Sequence, residues 1–168
     1  MAKLNDASDP AVIYKRLRDQ VLATTPGQLR LSPSQEYPSV WGVVMDTGYP
    51  GACVTLVSLA DQTVSLYFGN GGGIIGGGSH ANVWLAGKAF ISASEYHAKN
   101  MKPADSFPLP AVGRVIFYVL TFSGVLTAEC EQNTLVAGKE RLSGLFVSAN
   151  DVLTQLRLMP RPGASPKG

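Results

Sequence analysis

Charged side chains are scarce in this chain of 168 residues. They make up 15% of it, whereas soluble proteins average about 25%. Fourteen Lys and Arg against twelve Asp and Glu leave a formal net charge of only +2. Nucleic-acid binders derive most of their affinity from neutralising phosphates, and they carry a basic stripe with interleaved aromatic residues. The sequence has no such stripe, so we expect no nucleic-acid partner.

Cysteine and histidine are equally scarce, with two of each. They are Cys53, Cys130, His80 and His97, and this spacing does not form a zinc motif. Residues 1–10 lack the apolar run of a signal peptide. The longest uncharged stretch, residues 62–87, has a glycine-rich middle that suits no bilayer helix. We therefore expect reduced thiols, no metal or other cofactor, no membrane span and a cytoplasmic location.

Apolar patterns divide the chain into a core region and two polar ends. We expect a flexible N-terminus over residues 1–9, a single α+β domain over residues 10–159 and a disordered basic tail over residues 160–168. Asp9 and Pro10 are typical of a helix start. Ile13, Leu17 and Val21 then recur every four residues. A helix over residues 10–23 follows, with these side chains inward.

Short runs rich in Val, Leu, Tyr and Thr predict strands over residues 40–46, 52–59 and 63–68. The links between them are short, which favours antiparallel neighbours. In the third run, apolar residues alternate with Ser65 and Tyr67. This alternation predicts one buried face and one partly exposed face.

The second half of the chain repeats the change from helix to strand. A helical pattern ending near His97 has a face of small and apolar residues: Val83, Ala86, Gly87, Phe90, Ser94 and His97. Strands over 114–122 and 125–130 flank a predicted turn, and a strongly apolar helix over 142–156 ends before Pro160. The whole order predicts an antiparallel sheet of five to six strands, with helices before, between and after the strand groups.

This order of elements, over residues 10–158, resembles the profilin-like folds and most closely the roadblock type. In that type a small antiparallel sheet carries helices before, between and after two groups of strands. The resemblance rests on the order of elements alone. It implies a noncatalytic dimerising module that binds small GTPases or motor components.

The most conspicuous segment is a glycine run over residues 69–78, in which seven of ten positions are glycine. The candidate site comprises Gly71, Gly72, Gly73, Ile74, Ile75, Gly76, Gly77, Gly78 and His80. One interpretation is structural, because glycine supplies positive φ angles and close backbone packing. A second is association, with Ile74 and Ile75 offered to a partner. A third is a phosphorylated ligand, held by backbone N–H groups at the start of the following helix.

Catalytic interpretations have little support in the sequence. Cys53, Cys130 or a serine could act as nucleophile, with His80 or His97 as base. One of four aspartates would orient that histidine: Asp46, Asp61, Asp105 or Asp151. The sequence has no G-x-S-x-G elbow, and Cys53 begins a predicted strand rather than a helix. We expect His97 to be a packed side chain, and Arg114 and Glu129 to form a cross-strand pair.

Charge distribution favours association. Residues 40–94 contain only Asp46, Asp61 and Lys88 as charged side chains, and interface cores are depleted in charge. The same depletion would describe the inside of the sheet and its buried helix. We predict a noncatalytic protein-interaction or regulatory module that forms a homodimer or engages a protein partner. The alternative is an enzyme or ligand sensor that binds a phosphorylated small molecule at residues 69–78.

Overall fold

The computed structural model describes residues 8–160. Within this range seven strands form one sheet, and all neighbouring strands are antiparallel. They are β1 Val40–Tyr49, β2 Ala52–Leu59, β3 Val64–Phe68, β4 Gly73–Ile74, β5 Lys102–Pro103, β6 Arg114–Thr121 and β7 Gly124–Glu131. Their spatial order, β4-β3-β2-β1-β6-β7-β5, places β1 at the centre. Most of the predicted flexible start and of the predicted tail lies outside the described residues.

Four α-helices accompany the sheet in the described part of the chain. They are α1 Pro10–Ala23, α2 Ala81–His97, α3 Gln132–Val136 and α4 Ser143–Leu158. The α+β class and the placement of helices before, between and after the strands are confirmed. Helix α1 begins where the sequence predicts, because the Asp9 carboxylate accepts a hydrogen bond from the Ala11 amide at 2.9 Å.

The sheet has one strand more than the upper limit that the sequence predicts. The difference arises at its edges, where β4 and β5 are two residues long. A two-residue strand shows no alternation, so no pattern marks it. Helix α3, of five residues, escapes prediction for the same reason.

Helices α2 and α4 pack together over one face of the sheet, which we call the helical face. Its buried side chains include Val43, Met45, Leu56, Phe90, Phe117, Leu145 and Val152. Gly87 brings α2 close to the strands, since a Cβ there would lie 2.8 Å from the Ser58 hydroxyl oxygen. That hydroxyl donates to the Gly87 carbonyl at 3.0 Å. The predicted small-residue side of α2 therefore does face the sheet.

Helix α1 lies over the opposite face, which we call the α1 face. Parts of the connections before β1 and before β6 help to cover it. This second layer corrects the expectation for β3, because Ser65 and Tyr67 are only 1% and 6% exposed. The partly exposed strand face was a wrong prediction, since alternation reports polarity and cannot show that a second helix covers the polar side.

The buried side of α1 is also rotated by one residue from the predicted side. Ile13, Leu17 and Val21 are half-buried, whereas the fully buried positions are Tyr14, Arg18 and Leu22. Two of these three carry polar groups. Their burial depends on partners in the sheet, which the periodicity of α1 could not reveal.

Candidate functional site

The glycine run forms a tight connection from β3 to α2. Gly71 and Gly72 make the turn, in which the Gly71 amide donates to the Phe68 carbonyl at 3.0 Å. Gly73 and Ile74 form β4 and pair with β3. A Cβ at Gly73 would lie 2.3 Å from the Leu66 carbonyl oxygen. Substitution of Gly73 would therefore disturb this strand pair, whether or not a ligand binds.

The second half of the run is equally constrained. Gly76 has a φ of +76° and precedes a single 3-10 turn over Gly77–Ser79. Gly77 and Gly78 are buried, and a Cβ at Gly78 would lie 1.8 Å from the Gln62 carbonyl oxygen. The Ser79 and His80 amides donate to the carbonyls of Gly76 and Gly77. Chain geometry thus accounts for these glycines, which is what the structural interpretation expects.

The two isoleucines of the run have different environments. Ile74 is half-buried and packs against the core of the helical face. Ile75 is 72% exposed. His80 is exposed at the start of α2, and its side chain forms no capping hydrogen bond. Of these three residues, Ile75 and His80 are therefore the ones available to a partner or ligand.

The outward side of α2 is a surface that the sequence analysis missed. Leu85, Ala89, Ser92 and Tyr96 are all exposed, and we call these four residues the α2 stripe. Leu85 is 64% exposed and Tyr96 is 67% exposed. Spacings of four, three and four residues place them along one side of the helix. That spacing was readable in the sequence, but small residues in the middle of the stripe hid it.

Both charged side chains within α2 are engaged beside the stripe. Lys88 forms an ion pair with Glu36, and this contact raises the pKa of Lys88. Glu95 accepts hydrogen bonds from the amides of Ser39 and Val40 at 3.2 and 2.8 Å. These contacts hold the connection before β1 against α2. The four residues of the α2 stripe carry no charge themselves, and the Lys99 ammonium lies 4.5 Å from the centroid of the Tyr96 ring at its end.

The α1 face contains a buried polar network centred on Asp46, which is 0% exposed. Arg18 donates to Asp46 Oδ2 through Nε at 2.9 Å and Nη2 at 2.7 Å. Thr55 donates to Asp46 Oδ1 at 2.5 Å, so its hydroxyl must accept the proton of Tyr14, 2.7 Å away. Burial raises the pKa of Asp46, and the hydrogen bonds from Arg18 and Thr55 oppose that rise without cancelling it.

The network disagrees with one catalytic interpretation, because Asp46 is paired with Arg18 and Thr55 and orients no histidine. The signal that could have revealed it is an isolated carboxylate within the apolar strand β1. A buried carboxylate requires a partner. Arg18 was the candidate partner for that carboxylate, because it lies between Tyr14 and Leu22 at four-residue spacing on α1.

The thiols and His97 are not activated for nucleophilic chemistry. Burial raises the pKa of both Cys53 and Cys130, which favours the protonated thiol. His97 is half-buried and its ring lies edge-to-face with Tyr96 at 5.0 Å between centroids. Burial, with Lys99 nearby, lowers the pKa of His97. Arg114 and Glu129 form the expected cross-strand pair, with Nε and Oε1 2.9 Å apart.

Both cysteines are free. Within residues 8–160 no group of three or more His, Cys, Asp and Glu side chains is placed to hold a metal ion. No helix of that same range is long and apolar enough to cross a bilayer.

No family model, curated protein or solved structure matches this chain.

Proposed function

We propose that this protein is a noncatalytic module that acts by association, and that it forms a homodimer through the α2 stripe. The observation that carries the proposal is the composition of that stripe. It presents two large, exposed side chains, Leu85 and Tyr96, and none of its four residues is charged. Interface cores are depleted in charged residues and enriched in tyrosine, so the stripe has the character of such a core.

The α2 stripe is complementary to a second copy of itself. The midpoint between Leu85 and Tyr96 lies between residues 90 and 91 of α2. The midpoint between Ala89 and Ser92 lies at the same place. An antiparallel pair of α2 helices on a twofold axis there would place Leu85 of each copy against Tyr96 of the other. The small Ala89 and Ser92 would meet in the middle and allow close approach. An interface with twofold symmetry requires this kind of self-complementarity.

Helix α4 also exposes large apolar side chains. Val147 is 58% exposed and Leu158 is 71% exposed, and α4 packs beside α2 on the helical face. Gly144, at the start of α4, lies near His97 at the end of α2. The two helices are therefore antiparallel, and each of them exposes apolar side chains.

Three further features support this proposal. The raised pKa values of both thiols favour a noncatalytic role. The order of elements resembles that of the roadblock type, and the resemblance implies a dimerising module, although a fold alone does not define a function. Two free thiols suit a reducing compartment, so we propose the cytoplasm as the location.

The test is the molar mass measured by light scattering over a concentration series. We expect the unmodified protein to be a dimer at high micromolar concentration, and Leu85→Asp and Tyr96→Asp to be monomers with unchanged circular dichroism. Val112→Asp is the matched control, because Val112 is 63% exposed and lies outside α2 and α4. A monomeric unmodified protein would refute the proposal.

A separate variant, Ile75→Asp, distinguishes the glycine run from α2. Ile75 is exposed, whereas Ile74 contributes to the core and would confuse stability with association. We expect Ile75→Asp to remain a dimer. If it dissociates while Leu85→Asp does not, the interface is the glycine run and the α2 stripe is the wrong surface.

A further inference from the structure

A cleft opens on the α1 face, so the sheet separates it from the α2 stripe. It lies between α1, the turn that joins β1 to β2, and residues 107–109. Its volume is about 420 Å³, within the range of about 300–1,000 Å³ that is typical of small-molecule sites. The residues that matter for its chemistry are Ala11, Tyr14, Arg18, Cys53, Phe107 and Leu109.

The charges around the cleft cancel. The Arg18 guanidinium is 5% exposed and is paired with the buried Asp46. Lys15 at the rim forms an ion pair with Asp19 on the same helix. Each cation would attract an anionic ligand, but the carboxylate paired with that cation would repel the ligand. The electrostatics therefore favour a neutral ligand.

Arg18 leaves one hydrogen-bond donor without an acceptor among the described residues. Its Nε–H and one Nη2–H are directed at Asp46. The other Nη2–H donates to the Pro108 carbonyl at 3.3 Å, and one Nη1–H donates to the Phe107 carbonyl at 3.0 Å. A guanidinium carries five N–H groups, so one on Nη1 remains. The Asp19 Oδ1 atom lies 4.0 Å from Nη1, which is beyond hydrogen-bond distance.

The walls of the cleft are fixed before any ligand arrives. Residues 107 and 108 are held through their carbonyls by Arg18, and the Tyr118 hydroxyl also donates to the Pro108 carbonyl at 2.7 Å. The Phe107 ring packs edge-to-face on Tyr118, with centroids 5.4 Å apart. Tyr14 is held by Thr55. A preformed site loses little conformational entropy when it binds.

We infer that this cleft binds a neutral small molecule with an apolar body and a hydrogen-bond acceptor, such as a carbonyl, that accepts from Arg18 Nη1. Ala11, Phe107 and Leu109 provide apolar contact. The volume admits a body of two fused rings. This site does not depend on the homodimer, because it lies on the other face of the sheet.

The first experiment uses prodan, a neutral naphthalene fluorophore with one carbonyl. We expect saturable fluorescence enhancement with the unmodified protein. Ala11→Phe would fill the cleft from the exposed first turn of α1. It should weaken binding by about tenfold or more, because the added ring would overlap the probe. Ala23→Phe is the matched control, since Ala23 is exposed on the same helix but does not line the cleft.

Two outcomes of the prodan titrations would overturn the inference. One is the absence of saturable prodan binding to the unmodified protein. The other is equal prodan affinity in Ala11→Phe and in the unmodified protein, both with intact circular dichroism. Anilinonaphthalene sulfonate tests the charge argument, because it combines a naphthalene body with an anion. Tighter binding of this anion than of prodan would show that the cleft is an anion site and would contradict the neutral ligand.

Cys53 provides a second readout at the cleft wall. It is half-buried there, while Cys130 is 8% exposed and belongs to the core of the helical face. We expect saturating prodan to slow the alkylation of Cys53 at least several-fold and to leave that of Cys130 unchanged, as measured by peptide mass spectrometry. An unchanged rate at Cys53 would place the probe elsewhere and contradict the inference.

Discussion

The two faces of the sheet are closed in different ways. On the helical face, α2 and α4 bury an apolar layer that includes Phe90, Leu145 and Val152. On the α1 face a single helix and two connections cover the strands, and the Arg18 to Asp46 ion pair lies between helix and sheet. Two packed helices cover their face with mainly apolar contacts. One helix leaves a cleft beside it, and a polar network then fixes the position of that helix.

The largest expected effect comes from removal of the carboxylate that pairs with Arg18. Asp46→Ala leaves a buried guanidinium without its counter-ion, and loss of one partner of a buried pair costs about 3–5 kcal/mol. We expect a lower free energy of unfolding by about that amount, measured by urea denaturation. The double variant Arg18→Met with Asp46→Leu should recover most of the loss, because it removes both charges and keeps the volume.

The rescue is the informative part of this experiment. If Asp46→Ala is as stable as the unmodified protein, the ion pair does not hold α1, and the two faces are closed in the same way. If the double variant is no more stable than Asp46→Ala, the loss comes from packing instead of an unpaired charge.

The next effect tests how closely the chain approaches itself at the start of α2. A Cβ at Gly78 would meet the Gln62 carbonyl oxygen, which belongs to the backbone and cannot move aside as a side chain can. We expect Gly78→Ala to lower the free energy of unfolding by about 1–3 kcal/mol. Gly27→Ala is the control, since a Cβ there would meet nothing within 4 Å. Equal stability of the two variants would show that the glycine run can relax around a side chain, and that packing does not explain it.

Most of the fold was predictable because its longer elements have regular patterns. The capping residue Asp9 marked the start of α1, and apolar periodicity marked α4. The limits of β2 agree with the predicted residues 52–59. The short elements β4, β5 and α3 have too few residues for any period to show.

The surfaces were less predictable than the elements. Burial of β1 to β3 accounts for much of the low charge of residues 40–94, which was one of its two interpretations, but the low charge could not separate buried from exposed uncharged residues in α2. Ile74 and Ile75 look equivalent in sequence and differ in the fold, because β4 directs one towards the core. The polar network was not predicted from the sequence, because Arg18 and Asp46 are 28 residues apart. Only the tertiary structure brings them together.

A smaller effect comes from the tyrosines of the α1 face. Tyr14→Phe removes the hydrogen bond to Thr55 and should cost about 0.5–1.5 kcal/mol at neutral pH. Burial raises the pKa of Tyr14 above the ordinary value of about 10. Burial also raises the pKa of Tyr118 to about 12. The folded protein thus holds these protons more tightly than the unfolded chain does. The contribution of the two protonated tyrosines to the free energy of unfolding is therefore lost as the pH rises above about 10.

The measurement for Tyr14 is a series of urea denaturations between about pH 7 and about pH 11. We expect the unmodified protein to lose stability at the alkaline end, and Tyr14→Phe to lose less, because it has one buried phenol fewer. Parallel pH profiles for the two proteins would show that Tyr14 ionises as easily in the folded state as in the unfolded chain. The Tyr14 hydroxyl would then be more accessible than its place in the network implies.

The smallest expected effect comes from the exposed ion pair of Arg114 and Glu129, which has the same chemistry as the buried pair. Its side chains are 39% and 47% exposed, compared with 5% and 0% for Arg18 and Asp46. Water and salt screen the attraction of exposed charges, and a lone exposed charge remains solvated. We expect Arg114→Ala to shift the urea midpoint only slightly, and added salt to remove the difference. A loss as large as that of Asp46→Ala would mean that the ion pair itself stabilises the sheet, wherever it lies. A slight shift would show that the importance of Arg18 and Asp46 comes from their burial beneath α1.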